Sequence, residues 1–338
     1  MPTAFFVPPA PPAGSSPKAK KGQEMQNQDL QPREITPALY QLGTVKFPVY
    51  LSLGREAMLI EGGTGPSASI IVQQLQMLGI DPSRIRYLAL THTHADHIGA
   101  LPRLRRLWPH LLVIAGPQAA ATLASENLLE QFLPADRMLG NIFLQNGLIR
   151  ELPAPLETYC FDVDWIVQDG EVIDLGGGVA WQALHTPGHC PGHVSYYDAK
   201  QGLMALGDMT GYYDPQEDVL WPNYFSSLPD YCASLRRMKE MPARLGLLSH
   251  NGAVDLAGGS YLEWALAATM DYHWEMLHRL GRGEDPESMC RQKAQWVFSV
   301  APIASLKAIN FLCKALLRQS RAAEVLEREK RSAVGGRR

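Results

Sequence analysis

The chain has 338 residues, 46% of them hydrophobic and 19% charged, with a formal net charge of −3. That length and balance support one large buried core with room for a helical appendage. The 31 basic residues are scattered, which argues against nucleic acid as a partner, and no apolar run approaches the roughly 20 residues needed to span a bilayer.

In chain order, residues 1–34 come first, rich in Pro, Gln, Lys and small residues and without period-2 or period-3.6 patterning. Such a segment buries too little apolar surface to offset its ordering entropy, so a flexible tail is expected. It lacks a basic n-region and is broken by Pro8, Pro9, Pro11 and Pro12, so no signal peptide is read there. Strands are expected over residues 39–42, 47–53 and 57–61, then a helix over 68–78. Asp81-Pro82 suits a short helical turn, with Asp as cap and Pro at the first position. A buried strand at 87–90, a helix at 98–108 and a strand at 111–114 continue an α/β alternation, with helices outside and sheet within. Residues 117–148 read as interrupted helix, a substrate-side insertion. Strands resume at 164–167, 171–174, 179–184, 193–197 and 203–206, followed by a helix at 229–241 and a strand at 245–248. Beyond residue 260 the pattern becomes nearly continuous helix, divided at 260–280, 286–298, 303–317 and 322–330. The expected units are therefore a tail (1–34), an α/β domain (35–258), a helical cap (259–332) and a frayed end (333–338). Five widely separated cysteines argue against a disulfide framework and point to a reducing, cytoplasmic location.

The chemistry concentrates in Thr91-His92-Thr93-His94-Ala95-Asp96-His97, directly after a buried strand and before a helix. Imidazole nitrogen and carboxylate oxygen are ligands for borderline metals such as Zn²⁺ and Fe²⁺. A turn at a strand's C-terminal end can aim His92 and His94 at one ion and Asp96 and His97 at another. Three further candidates follow later strands in the same way: His189 after 179–184, Asp208 after 203–207, and His250 after 245–249. Loops at strand ends gather functional groups because the strands fix them.

This set resembles the metallo-β-lactamase superfamily over residues 37–255. His92-Thr93-His94-Ala95-Asp96-His97 matches its His-x-His-x-Asp-His signature, and residues 185–193, HTPGHCPGH, look like the version in hydroxyacylglutathione hydrolases. The resemblance implies an αββα sandwich in which His92, His94 and His189 bind one metal, Asp96, His97 and His250 bind a second, and Asp208 bridges them. Segments 45–50 and 57–63, with the helical C-terminus, give some architectural likeness to the subgroup containing the alkylquinolone-signalling effector thioesterase.

Two divalent transition metal ions, Zn²⁺ ahead of Fe or Mn²⁺, would activate a bridging water as hydroxide and polarise a carbonyl or phosphoryl group. Asp96, His189 and Asp208 are thus catalytic as well as ligating candidates, Asp96 also receiving or orienting a proton. Tyr212 and Tyr213 are candidate donors to a developing oxyanion. His185 and His193 are candidates for supporting hydrogen bonds around the ligands. Thioester hydrolysis of a small, partly apolar molecule is the first expectation, with lactonase and then phosphodiesterase activity behind it. A metal-containing binding or regulatory protein is the non-enzymatic rival. The C-terminal helices either roof the pocket or form a homodimer contact.

Overall fold

The computed structural model of the chain describes residues 30–300 and 304–335. The first sheet runs in the order β1 (Arg33–Thr36), β2 (Leu39–Gly43), β3 (Pro48–Leu53), β4 (Ala57–Ile60), β5 (Ile85–Ala89), β6 (Leu112–Ala115), β7 (Trp165–Ile166). Its first four strands are an antiparallel meander, while β4 through β7 pair in parallel. Parallel pairing requires crossovers, which α1 (Ser67–Leu78), α2 (Ala95–Ile98), α3 (Leu101–Leu107), α4 (Pro117–Leu123) and α5 (Leu128–Gln145) help supply.

The second sheet is built from β8 (Val172–Gly176), β9 (Val179–His185), β10 (Val194–Asp198), β11 (Leu203–Gly207), β14 (Leu245–Leu248) and β15 (Ala253–Asp255), ordered β15-β14-β11-β10-β9-β8. Its one parallel pair, β11 with β14, is bridged by a hairpin of β12 (Tyr212–Asp214) and β13 (Val219–Trp221) and by α6 (Leu228–Lys239). Three C-terminal helices follow: α7 (Ser260–Gly281), α8 (Pro286–Val300) and α9 (Leu306–Gly335). Among the described residues no helix is long and apolar enough to cross a membrane.

The two sheets share an apolar interior. Tyr50, Met58, Ile60 and Ile114 from the first meet Trp181, Tyr196, Leu203 and Leu247 from the second. Burying such side chains contributes roughly 1.5–3 kcal/mol each, which sets the sheets face to face. Polar atoms within this layer bond across it, as Trp181 Nε1–H donates to Ser52 Oγ at 2.9 Å. Two tyrosines tie down the strand ends from which ligand loops depart. Tyr196 donates to the Leu90 carbonyl (2.8 Å), and the Tyr50 hydroxyl lies 2.6 Å from the Leu248 carbonyl. Outside the sheets, α1 and α3 cover the first, while α6 to α9 pack over the second and over the hairpin through Tyr212, Trp221, Tyr224 and Tyr272. The architecture is an α/β sandwich with an added C-terminal helical region.

Several elements differ from the sequence reading. Order begins before residue 34, because Arg33–Thr36 pairs antiparallel with β2. Of the expected tail, residues 1–29 lie outside the described residues, as do 336–338 of the expected frayed end. The helix expected over 98–108 is two: α2 starts within the histidine motif, and Gly99 and Ala100 give their N–H groups to the Gly63 and Gly62 carbonyls instead of continuing it. The β12–β13 hairpin and β15 each have strands of three residues, too short to show alternation. The last two expected helices are one, α9. Its polar stretch at 318–321 continues because Ser320 is buried and hydrogen-bonds the Tyr224 hydroxyl at 2.8 Å.

Candidate metal centre

β5 delivers Thr91 and His92 to the sandwich edge; His94 then caps α2, and this helical turn carries Asp96 and His97. β9, β11 and β14 end just before the loops bearing His189, Asp208 and His250. The seven side chains converge in two groups. The ligand atoms of His92, His94, His189 and Asp208 lie within 4.8 Å of one another, and so do those of Asp96, His97 and His250. Asp208 touches both. Its Oδ2 is 4.0 Å from His92 Nε2, 3.5 Å from His189 Nε2 and 3.7 Å from His97 Nε2, and its Oδ1 is 3.6 Å from His250 Nε2. Asp96 Oδ2 closes the second group at 3.4 Å from His97 Nε2 and 3.6 Å from His250 Nε2.

Each of four rings is anchored through Nδ1. The Thr91 hydroxyl donates to Glu61 Oε1 (2.7 Å), so its oxygen is left to accept from His92 Nδ1 at 3.0 Å. His97 Nδ1 donates to Glu61 Oε2 (3.0 Å), His189 Nδ1 to the Asn223 carbonyl (2.9 Å), and His250 Nδ1 to the Lys46 carbonyl (2.8 Å). With the proton on Nδ1, every Nε2 lone pair faces inward, the tautomer a metal ligand needs.

The inward atoms fit cations. His94 Nδ1 lies 3.0 Å from His92 Nε2 and 3.1 Å from His189 Nε2, and one proton on His94 can serve only one of those neighbours. His97 Nε2 and Asp208 Oδ1 are buried without a hydrogen-bond partner. Orphaned buried polar atoms cost about 1–3 kcal/mol each, so their clustering marks a place for an ion.

The electrostatics divide the centre. Burial, reinforced by the surrounding imidazoles, holds His92 well below the usual histidine range, and burial takes His189 down to about 3. Burial also opposes charge on His97 and His250, yet the carboxylates prevail: Asp96, Glu61 and Asp208 raise His97, and Asp208 and Asp96 raise His250. Burial likewise opposes ionisation of Asp208, but His250 and His97 hold it well below the carboxylate range. Burial pushes the neighbouring Cys190 thiol up to about 12, which leaves no thiolate nucleophile there.

His193 lies beneath the centre, accepting the Asp208 N–H at 3.2 Å through Nε2 and meeting Thr186 Oγ1 at 2.9 Å through Nδ1. Gly207 makes this possible: it has φ of +62°, and a Cβ there would collide with His193 Nε2. His185 is directed elsewhere, its Nε2 3.2 Å from the Val167 carbonyl. The tyrosines separate. Tyr212 is buried, with its ring 5.5 Å from that of His250. Tyr213 is not brought to the cluster: its hydroxyl donates to Asp218 at 3.1 Å, and its ring packs on Tyr261 and Trp264.

Glu61 was missed in the sequence, where it reads as the polar end of an apolar strand. It binds Thr91, His97 and also the Ser249 hydroxyl (2.5 Å), thereby joining the 91–97 loop to the loop that carries His250. Its φ of +77° is a backbone strain that a non-glycine residue rarely carries, a signal visible only in three dimensions. The open side lies at His94, which is exposed, and at Asp96, whose side chain is 25% exposed. Phe225 stands 5.3 Å from the His189 ring and Phe47 5.5 Å from the His250 ring, making two apolar flanks.

A profile described as the metallo-beta-lactamase superfamily matches residues 49–250. A metallo-beta-lactamase fold-containing protein of Sulfurisphaera tokodaii is 26% identical over 220 residues, 63% of this chain and 77% of that one. Hydroxyacylglutathione hydrolase GloC of Haemophilus influenzae is 30% identical over 149 residues, covering 43% of this chain and 58% of its own. The N-acyl homoserine lactonase AttM of Azorhizobium caulinodans is 26% identical over 182 residues, covering 52% and 60%. The chain thus spans under two thirds of the length of these last two, and 57% of an uncharacterised Bacillus subtilis protein that it also matches. Among solved structures, an archaeal metallo-beta-lactamase superfamily protein from Sulfolobus tokodaii aligns with a TM-score of 0.52 at 25% identity, over 70% of this chain and 87% of that one.

Proposed function

The chain belongs to the metallo-beta-lactamase superfamily, and on that premise we propose that it is a metal-dependent hydrolase that cleaves a thioester of a small, partly apolar molecule. One observation carries the reading: seven donors form two groups that share Asp208. His92, His94 and His189 would hold one divalent transition metal ion, Asp96, His97 and His250 a second, with Asp208 on both and Zn²⁺ favoured over Fe or Mn²⁺ by the histidine-rich set. Such ions, when bound, lower the pKa of water and polarise a scissile carbonyl.

The remaining work falls to the protein. Asp96, partly exposed on the open side, can take the proton lost by the attacking water. Glu61, Asn223 and the Lys46 carbonyl keep the rings in register. Phe225 and Phe47 exclude water from the flanks and favour an apolar acyl group. Tyr212, its ring tilted against that of His250, keeps the imidazole in place and is the tyrosine nearer to an oxyanion role.

The thioester preference is supported by the HTPGHCPGH segment and by the likeness to a protein named as a hydroxyacylglutathione hydrolase. Membership of the alkylquinolone-effector thioesterase subgroup would rest on segments 45–50 and 57–63 alone. Lactone hydrolysis is the second reading, favoured by the likeness to a protein named as an N-acyl homoserine lactonase. The five cysteines, all free thiols, are in keeping with a cytoplasmic location.

Purified protein loaded separately with Zn²⁺, Fe²⁺ or Mn²⁺ should be assayed on thioester, lactone and phosphodiester panels. Preferential thioester turnover, abolished by Asp208→Asn, is expected. Faster lactone turnover would replace the substrate assignment. Absence of hydrolysis together with metal-independent partner binding would replace the enzymatic one.

A further inference from the structure

Away from the metal centre, a cavity of about 560 Å³ lies among α1, α3, α5 and the segment 152–159, lined by residues including Pro66, Arg103, Leu133, Asp136, Leu152 and Tyr159. None of the seven candidate ligands lines it. The volume is that of a small-molecule site, and the lining is mainly apolar. Leu133 and Leu152 are 40% and 37% exposed, large hydrophobic side chains left in water.

Arg103 is the group that sets this cavity apart. Its Nη2 donates to the Ala154 carbonyl at 2.9 Å, but its Nη1 is buried with no hydrogen-bond partner. Among the described residues no carboxylate lies within 4.0 Å of the guanidinium. Asp136, the acid in the same wall, is an electrostatic neighbour of Arg103 but not a hydrogen-bond partner, and its Oδ1 accepts the Gly65 N–H at 3.0 Å. The half-buried guanidinium thus keeps hydrogen-bonding capacity that the protein does not fill, which favours an anion, and its planar fork prefers a carboxylate. Arg103 also lines a neighbouring cavity of about 680 Å³, whose wall holds Arg150 and Glu151, so it is the charged group common to both spaces.

We propose that this cavity binds a small amphipathic anion, its carboxylate paired with Arg103 and its hydrocarbon body packed against Leu133, Leu152 and Tyr159. The site is separate from the hydrolytic reading and does not depend on it. It is linked to the metal centre through backbone hydrogen bonds. Gly65, held by Asp136, follows Gly62 and Gly63, whose backbone groups bond His97, Gly99 and Ala100 of the ligand turn. An occupant would therefore rest on the loop that carries Glu61.

The probe is decanoate, titrated calorimetrically into the full-length metal-loaded protein, with decanol as the uncharged control. Saturable binding of decanoate is expected, weakened about tenfold or more by Arg103→Met, as loss of a charge-assisted pair implies. Leu133→Glu, a change at an exposed position, should weaken it by like-charge repulsion, and decanol should bind wild type and Arg103→Met equally. Carboxylates also coordinate metals, so Asp208→Asn is titrated in parallel and should bind decanoate as wild type does. No saturable binding, or binding unaffected by both Arg103→Met and Leu133→Glu, overturns the proposal. So does binding lost in Asp208→Asn but kept in Arg103→Met, which assigns the carboxylate to the metal centre. Should Arg103→Met fail to fold, the Leu133→Glu variant decides: decanoate binding as tight as in wild type, or weakened no more than that of decanol, overturns the proposal, and decanoate binding weakened more than that of decanol upholds it.

Discussion

Replacing Glu61 by Gln keeps the shape of the side chain and removes its capacity to accept everywhere. In the native protein the carboxylate receives the Thr91 hydroxyl and the Ser249 hydroxyl on Oε1 and His97 Nδ1–H on Oε2. An amide has one acceptor oxygen and one NH₂ group, so either His97 or the hydroxyl pair then faces a donor. Thr91 has little freedom to adapt, because its oxygen already takes His92 Nδ1–H. One charge-assisted hydrogen bond is therefore lost, about 1.5–3 kcal/mol. That corresponds to roughly a 10- to 100-fold loss of metal affinity or activity, the usual scale for a group that orients a ligating histidine. The assay is a competitive chelator titration of both ions, with kcat/KM measured on the preferred substrate and a thermal melt to establish folding. A folded Glu61→Gln protein that holds both ions at wild-type affinity would refute the reasoning.

Gly207→Ala should destabilise the protein by about 1–3 kcal/mol for a side chain at positive φ, and more from the collision with His193; denaturant melts measure it, and a change below about 0.5 kcal/mol would mean that His193 moves freely. Metal removal exposes the mutual crowding of the inward nitrogens, so excess chelator should lower Tm by several degrees and restored metal should raise it, stabilisation being about 2.7 kcal/mol at a ligand concentration 100 times Kd. Equal melting with and without chelator would count against a resident metal. Tyr213→Phe should leave kcat/KM unchanged because its hydroxyl serves Asp218, whereas Tyr212→Leu removes the ring beside His250 and should cost about 10- to 100-fold. The reverse ranking would return the oxyanion role to Tyr213.

The candidate ligand set was legible because each member follows an apolar strand, a pattern written locally, and because four of them sit within six residues. The elements that hold the set were not. Glu61 meets partners 30, 36 and 188 residues away, and nothing around it in the chain announces those meetings. Likewise Asn223 and Lys46 contribute only carbonyls, which any residue type would offer. Strand boundaries in the sandwich interior were close because β-branched and aromatic runs must be buried there. Three-residue strands such as Ala253–Asp255 owe their form to a neighbour, here β14, rather than to their own composition. The unbroken course of α9 was hidden for the same reason: Ser320 looks like a helix breaker among charges until Tyr224 is seen beside it.

The candidate ligands enter the polypeptide in widely spaced instalments, at 92–97, 189, 208 and 250. A chain still being synthesised, or one that has lost its second sheet, owns only the first instalment and can grip an ion loosely at best. Closing the remaining loops demands long-range contacts, which form late in folding. All seven donors come together only in the folded domain, so a metal that needs the whole set would bind to folded protein and would add its binding free energy to the stability of the fold.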